Sequence, residues 1–273
     1  TLAGVLGGTA RHRSRKIARA RAEMDLVSRE YGQLSGRLNA IDVRAHSLTS
    51  PFADATLRRQ WEEVRDRFLL LHERVDQLGE LRDASPDKDF LAKSEEISRA
   101  AQVTRQVSYA EDNIDTLFRL EHGDDTARRT ELQALRSDVV DAQVSLSDTV
   151  GGLYVEFQRI RDRSDELAER TGADSFLDEF VVLLADYRSA LTQLRHQEFS
   201  DVDEKKATSL SAPTIYERDW RPGYGYHDFV PFWVMSSWHS SNLAAQQSAA
   251  SSAGATHTSF SSGFSGAGGS SSF

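Results

Sequence analysis

Cysteine is absent from the 273 residues, and only two of the five prolines lie ahead of residue 200. Without cysteine there is no disulfide framework, no thiol nucleophile and no cysteine-ligated metal, which fits a reducing compartment. Glycine is nearly missing from the body of the chain: Gly79 alone lies between Arg37 and His122. No apolar run approaches the ~20 residues that cross a bilayer as a helix. The signatures of several enzyme classes are missing as well. There is no G-x-x-x-x-G-K-S/T loop to cradle phosphate, no G-x-S-x-G elbow and no H-E-x-x-H helix. No glutamate stands three residues ahead of a histidine, the spacing that a dimetal centre in a helical bundle requires. His72 and Asp76 share a helix face, but on a surface this charged they read as solvated flank. The chain is therefore expected to be non-enzymatic, with no catalytic residue, no cofactor and no metal site.

What the sequence does hold is a rhythm. From Thr130 to Thr171 the positions Leu132, Leu135, Val139, Ala142, Leu146, Thr149, Leu153, Phe157, Ile160, Ser164, Leu167 and Thr171 follow one another by threes and fours. That spacing puts one side chain on the same helix face every 3.5 residues, as in helices that wrap around one another. A single helix of roughly 40 residues and ~60 Å is expected there, with a kink at Gly151-Gly152. The same rhythm runs through Ile17, Ala20, Met24, Val27, Tyr31, Leu34, Leu38, Ile41, Ala45 and Leu48. It recurs in Leu57, Trp61, Val64, Phe68, Leu71, Val75 and Leu78, then in Ala100, Val103, Val107, Ala110, Ile114 and Leu117. Last come Phe176, Phe180, Leu183, Tyr187, Ala190 and Leu194.

Ser50-Pro51 and Ser85-Pro86 read as helix starts, Gly123 as a stop, and Asp124 or Asp125 as the next cap. Ser175 with Asp178 reads as a capping box. The fold class is all-α: elongated antiparallel helical hairpins, a coiled-coil bundle of about five helices over residues 14–199, and a disordered C-terminal tail. Phe68→Ala and Phe157→Ala are each expected to cost about 3–5 kcal/mol, and Arg65→Ala under about 0.5.

The two ends differ from the body. Six cations, Arg11, Arg13, Arg15, Lys16, Arg19 and Arg21, stand against Glu23 and Asp25 before residue 26, a balance of +4 that leaves −13 for the rest of a chain of net charge −9. Nucleic acid is a poor partner for such a body. Ahead of the cations, TLAGVLGG is uncharged and small. Apolar and then abruptly basic is how the cytoplasmic end of a membrane span reads, so residues 1–13 read either as the end of a span with its basic juxtamembrane flank or as a frayed basic terminus. The cations would then attract anionic lipid, about 1 kcal/mol for each near the surface.

After residue 200 the helical rhythm stops. DVDEKK forms a polar hinge, and Tyr216, Trp220, Tyr224, Tyr226, Phe229, Phe232, Trp233 and Trp238 crowd into residues 200–238 together with three prolines. These rings suit a partner groove or a bilayer interface; alternatively they fold back over an open end of the bundle. Residues 239–273 carry no charged side chain and are rich in serine, alanine and glycine, a composition that does not fold alone.

A small apolar start passing into RHRSRK, long charged helical hairpins, an aromatic segment and the tail SFSSGFSGAGGSSSF together resemble one kind of actinobacterial membrane protein. The similar part is its C-terminal cytoplasmic coiled-coil region, beyond a TPM-type or DUF5129-like domain and a membrane span. The resemblance implies a structural or protein-interaction module on the cytoplasmic side of the cell membrane, within a larger membrane protein. Its partner would be an unidentified protein or a second copy. A weaker likeness, carried by the basic N-terminus and the charged helices, is to peripheral phage-shock and ESCRT-III type proteins that assemble on lipid.

Overall fold

The computed structural model describes residues 2–146, 151–200, 213–223, 232, 235–237, 239, 240 and 244, with side chains from residue 8 onward. Every regular element among these residues is a helix. They are α1 (Leu2–Ser47), α2 (Ala55–Leu69), α3 (His72–Leu78), α4 (Asp87–Ala92), α5 (Ser94–Glu121), α6 (Asp125–Val144), α7 (Gly151–Ala168) and α8 (Phe176–Glu198). Residues 232, 235–237, 239, 240 and 244 are helical too. The chain divides into two compact units, the first comprising Thr1–Thr49, Ala53–Phe118 and Thr214–Trp220, the second the remainder.

In the first unit, contacts along α1 fall in reverse order along α2 and α3. Arg58 donates to the Leu48 carbonyl, Trp61 to Asp42, and the Tyr31 and Phe68 rings stack at 4.6 Å. The two helices are therefore antiparallel, as a short connection between them demands. α5 runs the other way, since Arg37 meets Glu111 and Arg44 meets Asp115. The seam closes between the three: Trp61, Val64, Phe68, Leu78, Val107, Ala110, Ile114 and Leu117 are all at most 1% exposed. At about 25 cal/mol per Å² of apolar surface removed from water, this seam is the main source of stability.

The second unit repeats the plan. Arg136 pairs with Asp165, and Gln143 reaches the Tyr154 carbonyl and Gln158, so α6 and α7 are antiparallel. Arg163 pairs with Asp186 and Arg170 with Glu179, which sets α8 antiparallel to α7. Phe157, Ile160, Phe176, Tyr187 and Leu194 are fully buried.

Two expectations about continuity are corrected. The stretch from Thr130 to Thr171 is two helices rather than one ~60 Å rod, because α6 ends at Val144 and α7 begins at Gly151. The six residues between them, SLSDTV, are rich in Ser, Asp and Thr, which favour turns and caps over helix interiors. The step from Val144 to Gly151 is one heptad, so the three–four count passes through the break unchanged. The second and third helices are likewise segmented, at Leu70-Leu71 and at Lys93.

The caps also differ in detail. α2 is capped by Asp54, whose carboxylate accepts from the Leu57 amide at 2.8 Å, not by Ser50. α4 has Pro86 at its N-cap, with no side-chain cap bond. Asp124 caps α6 through the Ala127 amide, and Gly123 ends α5 with a φ of 77° that side-chain-bearing residues avoid. Ser175 makes no capping bond; its hydroxyl donates to Glu179 instead.

Candidate functional site

The cationic start of the chain lies on the first turns of α1. Arg11, Arg13, Arg15 and Lys16 are exposed, and none has a hydrogen-bond or ion-pair partner among the described residues. At 100° per residue, Arg11 and Arg15 fall opposite the line carried on by Ala20, Met24 and Val27, while Arg13 falls on that line itself and Lys16, four residues before Ala20, lies beside it. A seam position is thus taken by a cation, and among the described side chains of α1 the first buried one is Ala20.

Arg19 and Arg21 are used differently. Arg19 is bonded at 2.9 Å to Glu23, whose carboxylate is buried. The Arg21 guanidinium donates to Asp87 and to the carbonyls of Asp83 and Ser85, and lies 4.1 Å from the Phe90 ring centroid. It fastens the turn ahead of α4 to α1. No helix among the described residues is long and apolar enough to cross a membrane.

The aromatic segment is described in part. Tyr224, Tyr226, Phe229, Trp233 and Trp238 lie outside the described residues. In the first unit, residues 214–220 form a strap of two tight turns, with Glu217 N–H donating to Thr214 and Trp220 N–H to Glu217. Gln60 of α2 accepts from the Ile215 amide at 3.0 Å, and the Asn113 amide of α5 donates to the carbonyls of Ile215 and Glu217. Ile215 is 0% and Trp220 8% exposed, and the Tyr216 ring lies over the Arg67 guanidinium at 4.9 Å. In the second unit, Phe232 is buried edge-on to Phe199. A Cβ on Gly223, where φ is +82°, would come within 2.7 Å of Leu184, so only glycine fits this turn.

Three charged positions escaped the sequence pattern. Asp42 accepts from Trp61 and from Arg65; burial pushes its carboxyl up, but those two bonds outweigh it and hold it below the usual range. Arg128 is buried, donating to the carbonyls of Leu120 and Thr171 and lying 4.6 Å from the Phe176 ring centroid. Burial lowers its pKa, and carbonyls at chain turns take the place of a carboxylate partner. Asp138 on α6 accepts from the Tyr187 hydroxyl of α8. Burial lifts its carboxyl to about 6, against the Tyr187 bond and the charge of Arg221; burial lifts nearby Glu131 in the same way. All three sit on seam flanks, where single-sequence periodicity assigns charge to solvent.

These groups do not converge on a chemical centre. One groove of about 540 Å³ lies between α1 and α3, lined by Met24, Tyr31, Asp76 and Arg82 among others. Another of about 440 Å³ lies between α6 and α7, where Arg129 and Arg136 are already paired with Asp125 and Asp165. Asp138 lines neither. Among the described residues no three His, Asp or Glu side chains stand close enough to hold a metal ion. Comparison with protein-family models, with curated proteins and with solved structures matches none of them.

Proposed function

We propose that the protein is a non-enzymatic helical scaffold that works at the cytoplasmic face of a membrane, as part of a larger membrane protein. In this reading the start of α1 meets anionic lipid and the aromatic segment engages a protein partner. The observation that carries it is the placement of Arg11, Arg13, Arg15 and Lys16: four exposed cations on α1 without a hydrogen-bond or ion-pair partner among the described residues. Arg19 and Arg21, by contrast, pair with Glu23 and Asp87. A helix held in register by the 46-residue α1 presents its cations without further ordering cost. The layout agrees with the resemblance to the cytoplasmic coiled-coil regions of TPM-type membrane proteins.

The test is flotation with vesicles of roughly one-third anionic lipid. Four cations at about 1 kcal/mol each correspond to a loss of affinity on the order of 10³-fold when all are replaced by glutamine. Unchanged flotation of the quadruple variant, or no binding by the starting chain, ends the lipid reading. Binding that persists in neutral vesicles points instead to the aromatic segment.

A further inference from the structure

The cations at the start of α1 form a band around the helix and not a face along it. At 100° per residue, Arg11, Arg15, Lys16 and Arg13 are spread over about 200° of the circumference. Between residues 10 and 18 the remaining arc holds Ala10, Ser14, Ile17 and Ala18. A helix that lies flat in a bilayer interface buries a stripe of large apolar side chains, and Ile17 is the single one here. Along the axis the band is short: Arg11 to Lys16 covers about 7.5 Å at 1.5 Å per residue. One headgroup layer has the same depth, ~5–8 Å by the difference between the full and the hydrocarbon thickness of a bilayer. Ahead of the band, residues 2–10 are helical and carry no charge, and behind it no acid stands before Glu23.

We infer that α1 stands upright on an anionic bilayer, with this band at headgroup level and the uncharged turns of residues 2–10 on the lipid side of it. The upright posture rests on the lipid reading above and adds to it the direction in which the first unit is presented. Because α1 runs unbroken to Ser47, that posture settles which end of the unit stands near the bilayer. Arg21 is about 7.5 Å past Lys16 along the axis. Its guanidinium holds the carbonyls of Asp83 and Ser85 at 2.9 Å, so the turn ahead of α4 is the end next to the headgroups. Residues 80–93, with Arg21 seated among them, carry as many cations as acids, and anionic lipid does not repel that end. Ser47 lies about 40 Å further along the helix than Arg21. The connection between α1 and α2 is therefore the pole turned away from the membrane and open to partners in solution.

The chain has no cysteine, so a single introduced thiol takes a dye cleanly. Ala84→Cys and Ser47→Cys, both at exposed positions, each place a donor dye on the full chain. Energy transfer is then read to acceptor-labelled lipid in vesicles of the composition used for flotation. Transfer from residue 84 should exceed transfer from residue 47 at least about threefold, given the ~40 Å between their levels along α1. Replacing Arg11, Arg13, Arg15 and Lys16 by glutamine should abolish transfer from both positions. Equal transfer from the two, or more from residue 47, with flotation intact overturns the upright posture and leaves the lipid reading standing. Neither flotation nor transfer removes both. Transfer that survives the glutamine replacements shows that the band is not the contact, and overturns the posture built on it.

Discussion

The two units share a plan of three helices, up, down and up, and both carry half-exposed ion pairs, yet the carboxyl that burial lifts as far as about 6, Asp138, lies in the second. In the first, carboxylates and guanidiniums meet near the surface: Arg37 with Glu111, Arg44 with Asp115, Arg65 with Asp42. The pairs are half exposed, and the Asp42 carboxyl is held down by its donors. In the second, Arg128 is buried against carbonyls, and Asp138 and Glu131 are sunk far enough that burial lifts them. The same packing scheme therefore tolerates either arrangement. Salt screens the surface pairs of both units, whereas the carboxyl that titrates at about 6 belongs to the second.

The largest expected effects probe what the units have in common. Phe68 in the first and Phe157 in the second are at most 1% exposed. Phe68→Ala and Phe157→Ala should each cost about 3–5 kcal/mol in urea unfolding. Amide exchange should place the lost protection in α1, α2 and α5 for Phe68→Ala, and in α6 to α8 for Phe157→Ala. Identical exchange patterns for both would erase the distinction between units.

Asp138 sharpens the contrast. Its folded-state value of about 6 lies above the unfolded value near 3.8, so between these the folded chain holds more protons. Stability from this group is therefore greatest at and below about pH 4 and declines as pH rises through 6. Moving from pH 7.5 to 5 should raise the stability of the second unit by roughly 1–2 kcal/mol through Asp138. Asp138→Asn should flatten that slope. Asp42 has the opposite sign: its lowered value gives stability that is present above the unfolded range and lost only as pH falls below it. A slope that survives Asp138→Asn would assign the effect elsewhere.

The smallest effects separate kinds of surface charge. Arg65→Ala should cost about 1–2 kcal/mol, because it strips a charged hydrogen bond from Asp42 beneath Trp61. This revises the value of under about 0.5 expected when Arg65 is read as solvated flank. Arg37→Ala, which breaks a half-exposed pair, should cost about 0.2–1 kcal/mol and less at high salt. Thermal melts at two salt concentrations distinguish the two, and equal costs would mean that Asp42 is no hub.

Much of this was legible beforehand. Ala20 through Leu48, Leu57 through Phe68, Ala100 through Leu117 and Phe176 through Leu194 are buried at every position the spacing selects. Val75 and Ile17 are only half buried, where the seam nears an end. Leu146 is half exposed beside the break between α6 and α7, the point at which spacing misled. Periodicity reports which side of a helix faces inward, and because α7 starts seven positions after α6 ends, the count runs on unaltered.

The sequence by itself determined that the chain is helical, which side chains close its seams, and where its cations gather, because these follow from local spacing and solvation. Tertiary structure alone decided which charges go under. Arg21, Arg128 and Asp138 look like any other polar flank until a carbonyl, a ring or a tyrosine hydroxyl from a distant helix is set beside them. The strap likewise depends on Gln60 and Asn113, residues that no pattern marks, since a hydrogen bond across 100 positions leaves no trace in either neighbourhood.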